Sequence, residues 1–241
     1  MRRVVPPIEA ESYQILRREA DTSELPRHTR DVVERVVHGS ADLDYLADLV
    51  CDEDALAAGA AALADGATLV VDSQVVAAGI TEYEALCLVD APAVAEIAEV
   101  NHITRSAAGI RLASELARNG AVFAIGTAPT ALFELIKLAE AGRVRPALVV
   151  GVPVGFVGGV ESKAALREAG LPQVSNASAK GGAAVAAAVI NALLYGDPLA
   201  PVQDEEDGDV PEDTPVDAGD ASEEAPAGAS AAETVSAEEK A

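Results

Sequence analysis

The chain has 241 residues, half of them hydrophobic, with 40 acidic against 17 basic side chains and a formal net charge of −23. That balance excludes a nucleic-acid partner, because a phosphate backbone would meet a repulsive field that no basic stripe interrupts. No apolar run reaches the length of a membrane span, and the start MRRVVPPIEAESY lacks a signal-peptide core, so the expectation is a cytoplasmic protein that contacts no membrane.

In chain order, Ile8 to Glu19 places Ile8, Tyr13, Ile15 and Leu16 among charges and reads as an amphipathic helix ending near Ala20. A second helix starts after Pro26, carries Val32, Val33, Val36 and Val37 on its apolar face, and stops after His38 at Gly39-Ser40. Leu43 to Cys51 is either a strand or an irregular connection. Asp52 caps an alanine-rich helix that runs to Asp65 and ends at Gly66. Strands follow at Ala67–Val71 and Ala85–Val89, with a short element at Val75–Gly79 between them. Helices then span Pro92–Val100 and Arg105–Arg118, the second closed by Asn119-Gly120.

The apolar run Ala121–Ile125 has the uninterrupted character of a parallel strand buried on both faces, and it stops at Gly126. Thr127 is then the expected N-cap and Pro129 the early helical proline. A second such unit runs from Ala147 to Val154, turns at Gly155 and Gly158-Gly159, and re-enters a helix through Ser162 and Leu166. Val174 closes the sheet, and Gly181-Gly182 opens a last helix ending near Leu194. Alternating strands and helices over 67–195 predict an α/β fold: a three-layer α/β/α domain with a doubly wound, mostly parallel sheet. In such folds ligands bind at the carboxyl edge of the strands, so Ala121 to Lys163 is expected to floor the site. From Pro201 onward the chain holds 14 of the 40 acidic residues and, as larger aliphatics, only Val202, Val210, Val216 and Val235. This composition cannot offset its own ordering entropy, which predicts a disordered acidic tail over 201–241 after one domain at 1–200.

Cys51 and Cys87 sit in apolar runs without CxxC spacing and read as free thiols rather than a disulfide or metal site. Of the three histidines, His28 and His102 read as surface residues. His38 ends an apolar helix before a glycine, so it is either a positively charged C-terminal cap or an acid/base group projecting into a cleft. Arg35, three residues earlier, shares its helical face and is either half of a surface ion pair with Glu34 or Asp31 or a clamp for a substrate carboxylate. Arg105, Lys163 and Lys180 add cations. Ser12, Thr104, Thr127 and Ser162 add hydrogen-bonding groups at turns and helix starts, and the helix starts after Gly126 and Gly159 add backbone donors. GxSxG, GxGxxG and GxxxxGK[ST] are absent, which leaves a nucleotide-dependent enzyme without a phosphate cradle.

The segments PIEAESYQI (Pro7–Ile15), RVVH (Arg35–His38), Asp72–Ile80, TRSA (Thr104–Ala107), APTALF (Ala128–Phe133) and PVGFVGGVESK (Pro153–Lys163) together resemble the precorrin-8X methylmutase family from about Pro7 to Leu194. The resemblance implies a flavodoxin-like, cofactor-free and metal-free isomerase of cobalamin biosynthesis that acts as a homodimer. It implies a tetrapyrrole substrate, precorrin-8X or its cobalt form, whose methyl group moves from carbon 11 to carbon 12 to give hydrogenobyrinate or cobyrinate. The family's catalytic histidine falls on His38, and its substrate-binding serine and arginine fall on Ser12 and Arg35. Arg105, Lys163 and Lys180, with Thr104, Gly126, Thr127 and Ser162, are the further groups that would meet a substrate rich in carboxylates. Two stretches depart from the family pattern. Thr127 stands where GNAPTAL has asparagine, and Ser178–Ala183 replaces GRKGGS without the arginine and the final serine. These departures keep a second reading open, a corrinoid-binding paralogue or carrier without turnover.

Overall fold

The computed structural model describes residues 5–200 of the chain. The acidic tail expected over 201–241 lies outside the described residues. The elements, in order, are α1 (Pro7–Glu19), α2 (Arg27–Ser40), α3 (Tyr45–Asp48), β1 (Leu49–Cys51), α4 (Glu53–Ala64), β2 (Leu69–Val71), α5 (Gln74–Gly79) and β3 (Ala85–Leu86). They continue with α6 (Pro92–Asn101), α7 (Arg105–Leu116), β4 (Val122–Ile125), α8 (Pro129–Glu140), β5 (Leu148–Gly151), α9 (Gly159–Glu168), β6 (Gln173–Asn176) and α10 (Ala183–Tyr195).

One sheet runs in the order β1-β6-β5-β4-β2-β3. Every neighbouring pair is parallel except β1 with β6. Without β1, the parallel strands follow the flavodoxin-like order in which the first strand, β2, lies between the second and third. Alternation along the strands divides the core into two layers. Leu69, Val71, Val122, Ala124, Leu148 and Val150 pack with α2, α4, α5 and α10. Val70, Phe123, Ile125 and Val149 pack with α7, α8 and α9. The alanine-rich sequence of α10 suits the first of these layers, because small side chains let it lie close to its neighbours.

Several expected boundaries move, each for a local reason. Leu43–Cys51 is neither one strand nor a loop: it divides into the short α3 and the edge strand β1. Helix α2 does not stop at Gly39. It continues through Ser40, and Ala41 takes the left-handed position (φ 51°) with its N–H on the Val37 carbonyl. Strand β3 ends at Leu86, three residues short of the expected Val89. Strand β5 ends at Gly151 rather than Val154, because Val152 turns its carbonyl to the N–H of Gly182 at the start of α10, 2.9 Å away. Asp52 caps α4 as expected, accepting from Ala55 N–H. The cap of α8 is a correction: Ala128, not Thr127, occupies that position, and no side chain caps it.

Candidate active site

A cleft of about 670 Å³ opens where α1, α2, α5 and α10 meet, lined by Ile8, Glu9 and Ser12, by Arg35, His38 and Gly39, by Gly79, and by Ala184, Ala187, Ala188 and Asn191. None of these comes from Ala121–Lys163, which corrects the expectation that this stretch floors the pocket. The floor is the small-residue face of α10 set against the end of α5. The two elements meet so closely that a Cβ on Gly79 would lie 2.7 Å from the Ala187 methyl. Asn191 fixes the approach, donating to the Gly79 carbonyl at 2.9 Å and accepting from Thr81 N–H at 3.2 Å.

The apolar stripe of α2, buried from Val32 to Val37, anchors that helix and leaves Arg35 and His38 half-buried at the cleft. The His38 Nδ1 and the Ser12 hydroxyl are hydrogen-bonded at 2.9 Å. The imidazole also stacks on the fully buried Tyr13 ring, with centroids 4.4 Å apart and planes inclined by 16°. These two neighbours hold the ring in place, and Nε2 has no protein partner among the described residues. Burial pushes the His38 pKa below the ordinary imidazole value, the Arg35 charge adds to that effect, and Glu9 opposes it. A neutral imidazole is therefore the resting form at neutral pH. Burial also lifts the Tyr13 phenol to about 12, so it stays neutral.

Arg35 is not paired with Glu34 or Asp31. Glu34 is held by Arg17 through three hydrogen bonds and by the Thr22 hydroxyl at 2.5 Å. The Arg35 guanidinium lies 5.9 Å from the Tyr195 ring centroid, and its Nε is buried without a hydrogen-bond partner. An orphaned buried donor of this kind costs about 1–3 kcal/mol unless something accepts from it, and a carboxylate suits a guanidinium best.

The other residues singled out by sequence lie elsewhere. Gly126 is buried, and its missing side chain serves packing, since a Cβ there would come within 3.0 Å of Ala186, Ala183 and the Gly182 carbonyl at the start of α10. The backbone donors after Gly126 are already occupied. Asp72, at the end of β2 and only 2% exposed, accepts from the N–H groups of Gly126, Thr127 and Ala128 at 3.1, 2.8 and 2.7 Å. Burial raises its pKa against the pull of those bonds. Thr127 is exposed and shares a hydrogen bond with Ser73, the N-cap of α5, at 2.8 Å. Thr104 caps α7 and bonds the Thr130 hydroxyl at 2.8 Å. Arg105 is exposed and donates to Asp90 and the Val89 carbonyl.

Lys163, expected as a cation for the substrate, is enclosed by the protein. It is 0% exposed, and its ammonium donates to Asn176 Oδ1 and to the carbonyls of Ser178 and Lys180 at 2.9, 2.5 and 2.7 Å. Burial lowers its pKa to about 8. Ser162 is equally buried and donates to the Gly159 carbonyl. Lys180 is tied to Asp42 and Asp44 at 2.7 Å each.

Three residues at these sites were not singled out from sequence: Tyr13, Glu9 and Asp72. Tyr13 directly follows Ser12 in a chain with only four tyrosines, and Glu9 stands one helical turn before it. Asp72 follows a buried strand directly, where a carboxylate has few reasons to be other than an acceptor of turn amides.

Comparison with known proteins gives the chain's relatives. The family model for precorrin-8X methylmutase matches residues 7–196. The chain is 42% identical over 163 residues to the cobalt-precorrin-8 methylmutase of Methanocaldococcus jannaschii, covering 68% of this chain and 77% of that protein. It is 38% identical over 191 residues to the precorrin-8X methylmutase of Pseudomonas aeruginosa, covering 76% and 91%. The crystal structure of a precorrin-8X methylmutase from Thermus thermophilus superposes with a TM-score of 0.71 at 35% identity, covering 77% of this chain and 93% of that one.

Proposed function

The chain belongs to the precorrin-8X methylmutase family and is an isomerase of cobalamin biosynthesis, and on that basis we propose that His38 is its proton-handling group, positioned by Ser12 and Tyr13, with Arg35 holding a carboxylate of the tetrapyrrole. The substrate is precorrin-8X or its cobalt form. The reaction breaks the bond between the migrating methyl and carbon 11 and forms one to carbon 12, while the conjugated electrons of the ring shift to compensate. The composition does not change, so the chemistry asks the protein for proton handling, orientation and a shaped cleft. A neutral His38 accepts a proton at Nε2 and returns it, and the Ser12 hydroxyl can donate to or accept from Nδ1 as the tautomer changes. The alanine face of α10 offers an apolar bed for the macrocycle, and the unpartnered Arg35 Nε offers a donor for one of its acid side chains. The exposed Thr104, Arg105 and Thr127 would meet further substituents by exchanging their present partners, whereas Gly126, Ser162, Lys163 and Lys180 serve the protein's own packing and hydrogen bonds.

The observation that carries this reading is the His38–Ser12 pair at 2.9 Å in one cleft with a half-buried guanidinium whose Nε has no partner among the described residues. Incubating the purified protein with precorrin-8X or its cobalt form should change the visible absorption. His38→Ala should lower turnover by about 10²–10⁴-fold while substrate binding persists. A wild-type protein that binds the tetrapyrrole and leaves its spectrum unchanged overturns the catalytic reading in favour of a carrier.

The functional unit is a cytoplasmic homodimer. The turn between β5 and α9 supports this, with Phe156 99% and Val157 90% exposed, an apolar surface that a second copy would cover. Cys51 and Cys87 are free thiols, in keeping with a reducing compartment. Analytical ultracentrifugation should give twice the monomer mass, and Phe156→Asp with Val157→Asp should return the monomer.

A further inference from the structure

A second cavity, of about 450 Å³, lies on the sheet face opposite the His38 cleft, lined by residues of α7, the end of α8 and the loops that lead into β4 and β5. Four of the chain's 17 basic residues meet there: Arg111, Arg118, Arg143 and Arg145. In a protein of net charge −23 such a grouping is a strong local reversal of sign. Two of the four are neutralised within the protein. Arg111 is fixed by Glu134 at 2.7 Å and Asn101 at 2.5 Å, and Arg143 pairs with Glu115 at 3.0 Å. Arg118 and Arg145 have no carboxylate partner among the described residues. The loops that carry them are stitched together, Arg145 N–H donating to the Arg118 carbonyl at 2.7 Å and Gly120 N–H to the Arg145 carbonyl at 2.9 Å.

A second observation points to a ligand. Ser114 lines the same cavity on the helical stripe of Arg111 and Arg118, is 3% exposed, and its hydroxyl has no hydrogen-bond partner. A buried helical serine commonly satisfies itself on the carbonyl one turn back, as Ser40 does on Val36 at 2.7 Å. Ser114 does not, so its O–H remains an unsatisfied donor beside two guanidiniums without a carboxylate, Arg118 donating only from Nε to the Glu115 carbonyl at 3.3 Å. The cavity also falls within the roughly 300–1,000 Å³ typical of small-molecule sites.

We infer that this cavity is a binding site for a small polyanion, a molecule bearing phosphate groups or adjacent carboxylates, separate from the tetrapyrrole cleft. The guanidinium forks of Arg118 and Arg145 grip its oxygens and the Ser114 hydroxyl donates to one of them, while the Arg111–Glu134 and Arg143–Glu115 pairs frame the cavity. Isothermal titration of the full chain at fixed ionic strength tests this, with pyrophosphate as the phosphate probe, citrate as the carboxylate probe and chloride as the control. Saturable binding of either probe above chloride is expected, and which one binds more tightly identifies the ligand chemistry. Arg118→Gln with Arg145→Gln should weaken that binding by about tenfold or more, and Ser114→Ala by several-fold, consistent with one or two lost charge-assisted hydrogen bonds. Both arginines are exposed and make no ion pair, so the melting temperature without ligand should not change. His38→Ala should leave the titration as it was. Heats no larger than those of chloride, unchanged affinity in the double arginine variant, or loss of binding in His38→Ala would each overturn the inference.

Discussion

The cleft at His38 and the turn from β4 into α8 are both rich in hydrogen-bond donors, and they treat those donors in opposite ways. At the turn, three backbone N–H groups converge at the start of a helix, the usual setting for an anion, and Asp72 fills it from within. The Lys163 ammonium follows the same pattern, enclosed by one amide oxygen and two carbonyls. In the cleft, the Arg35 Nε and the His38 Nε2 are left without partners among the described residues. The difference teaches that a donor-rich spot becomes a substrate site only where the protein withholds its own acceptors.

The largest expected effect tests the closed side of this contrast. Lys163→Met removes one ammonium, leaves Asn176 Oδ1 without a donor and leaves the Ser178 and Lys180 carbonyls only the Asn176 amide N–H₂, which should cost about 3 kcal/mol and lower the melting temperature by about 10 °C. Tetrapyrrole affinity in the surviving folded protein should stay within about threefold of wild type, well short of the tenfold per 1.4 kcal/mol that a lost direct contact would bring. Next, Asp72→Asn keeps one acceptor but turns an amide N–H₂ toward backbone donors. A loss of about 2 kcal/mol should follow, read as a melting temperature lower by about 6 °C. If either variant instead left stability intact and abolished substrate binding, the self-satisfied turn would itself be the site and the contrast would fail.

The open side predicts smaller and more specific changes. Arg35→Met should raise KM by about tenfold with little loss of melting temperature, since the proposed charge-assisted hydrogen bond to a carboxylate is lost and, among the described residues, only the contact with the Tyr195 ring is broken. The same variant shifts the pH profile. Burial and Arg35 depress the His38 pKa, so with His38 as the proposed base the acid limb of kcat/KM should lie below the ordinary imidazole value of 6.5. Removing Arg35 should move that limb up toward 6.5, and Glu9→Gln should move it further down. Stability follows the same sign. With the folded pKa below the unfolded one, the unfolded chain takes up the proton first as pH falls, so this contribution is full above 6.5 and is lost below it.

The elements were legible where one strong local signal decided them. The apolar runs at Leu69–Val71, Val122–Ile125 and Leu148–Gly151 are strands buried on both faces, and Asp52 caps α4 through its own side chain. Legibility failed where competing partners were distant in sequence. Ala41 rather than Gly39 ends α2, β5 breaks early to meet Gly182, and Asp72 displaces Thr127 from any capping role, each through a contact that no local pattern announces.

By itself the sequence determined the alternating α/β order, the acidic balance and the pairing of Arg35 with His38 on one helical face, because periodicity and composition are local properties. The tertiary structure alone decided that α1 brings Ser12 to His38, and that α10 supplies the floor expected of Ala121–Lys163. It also decided that the cations at Lys163 and Lys180 are consumed by the protein's own acceptors. The physical reason is that a donor becomes available or occupied according to which acceptors the fold carries to it across tens of residues. Asp72 reaches the Gly126 amide across 54 positions.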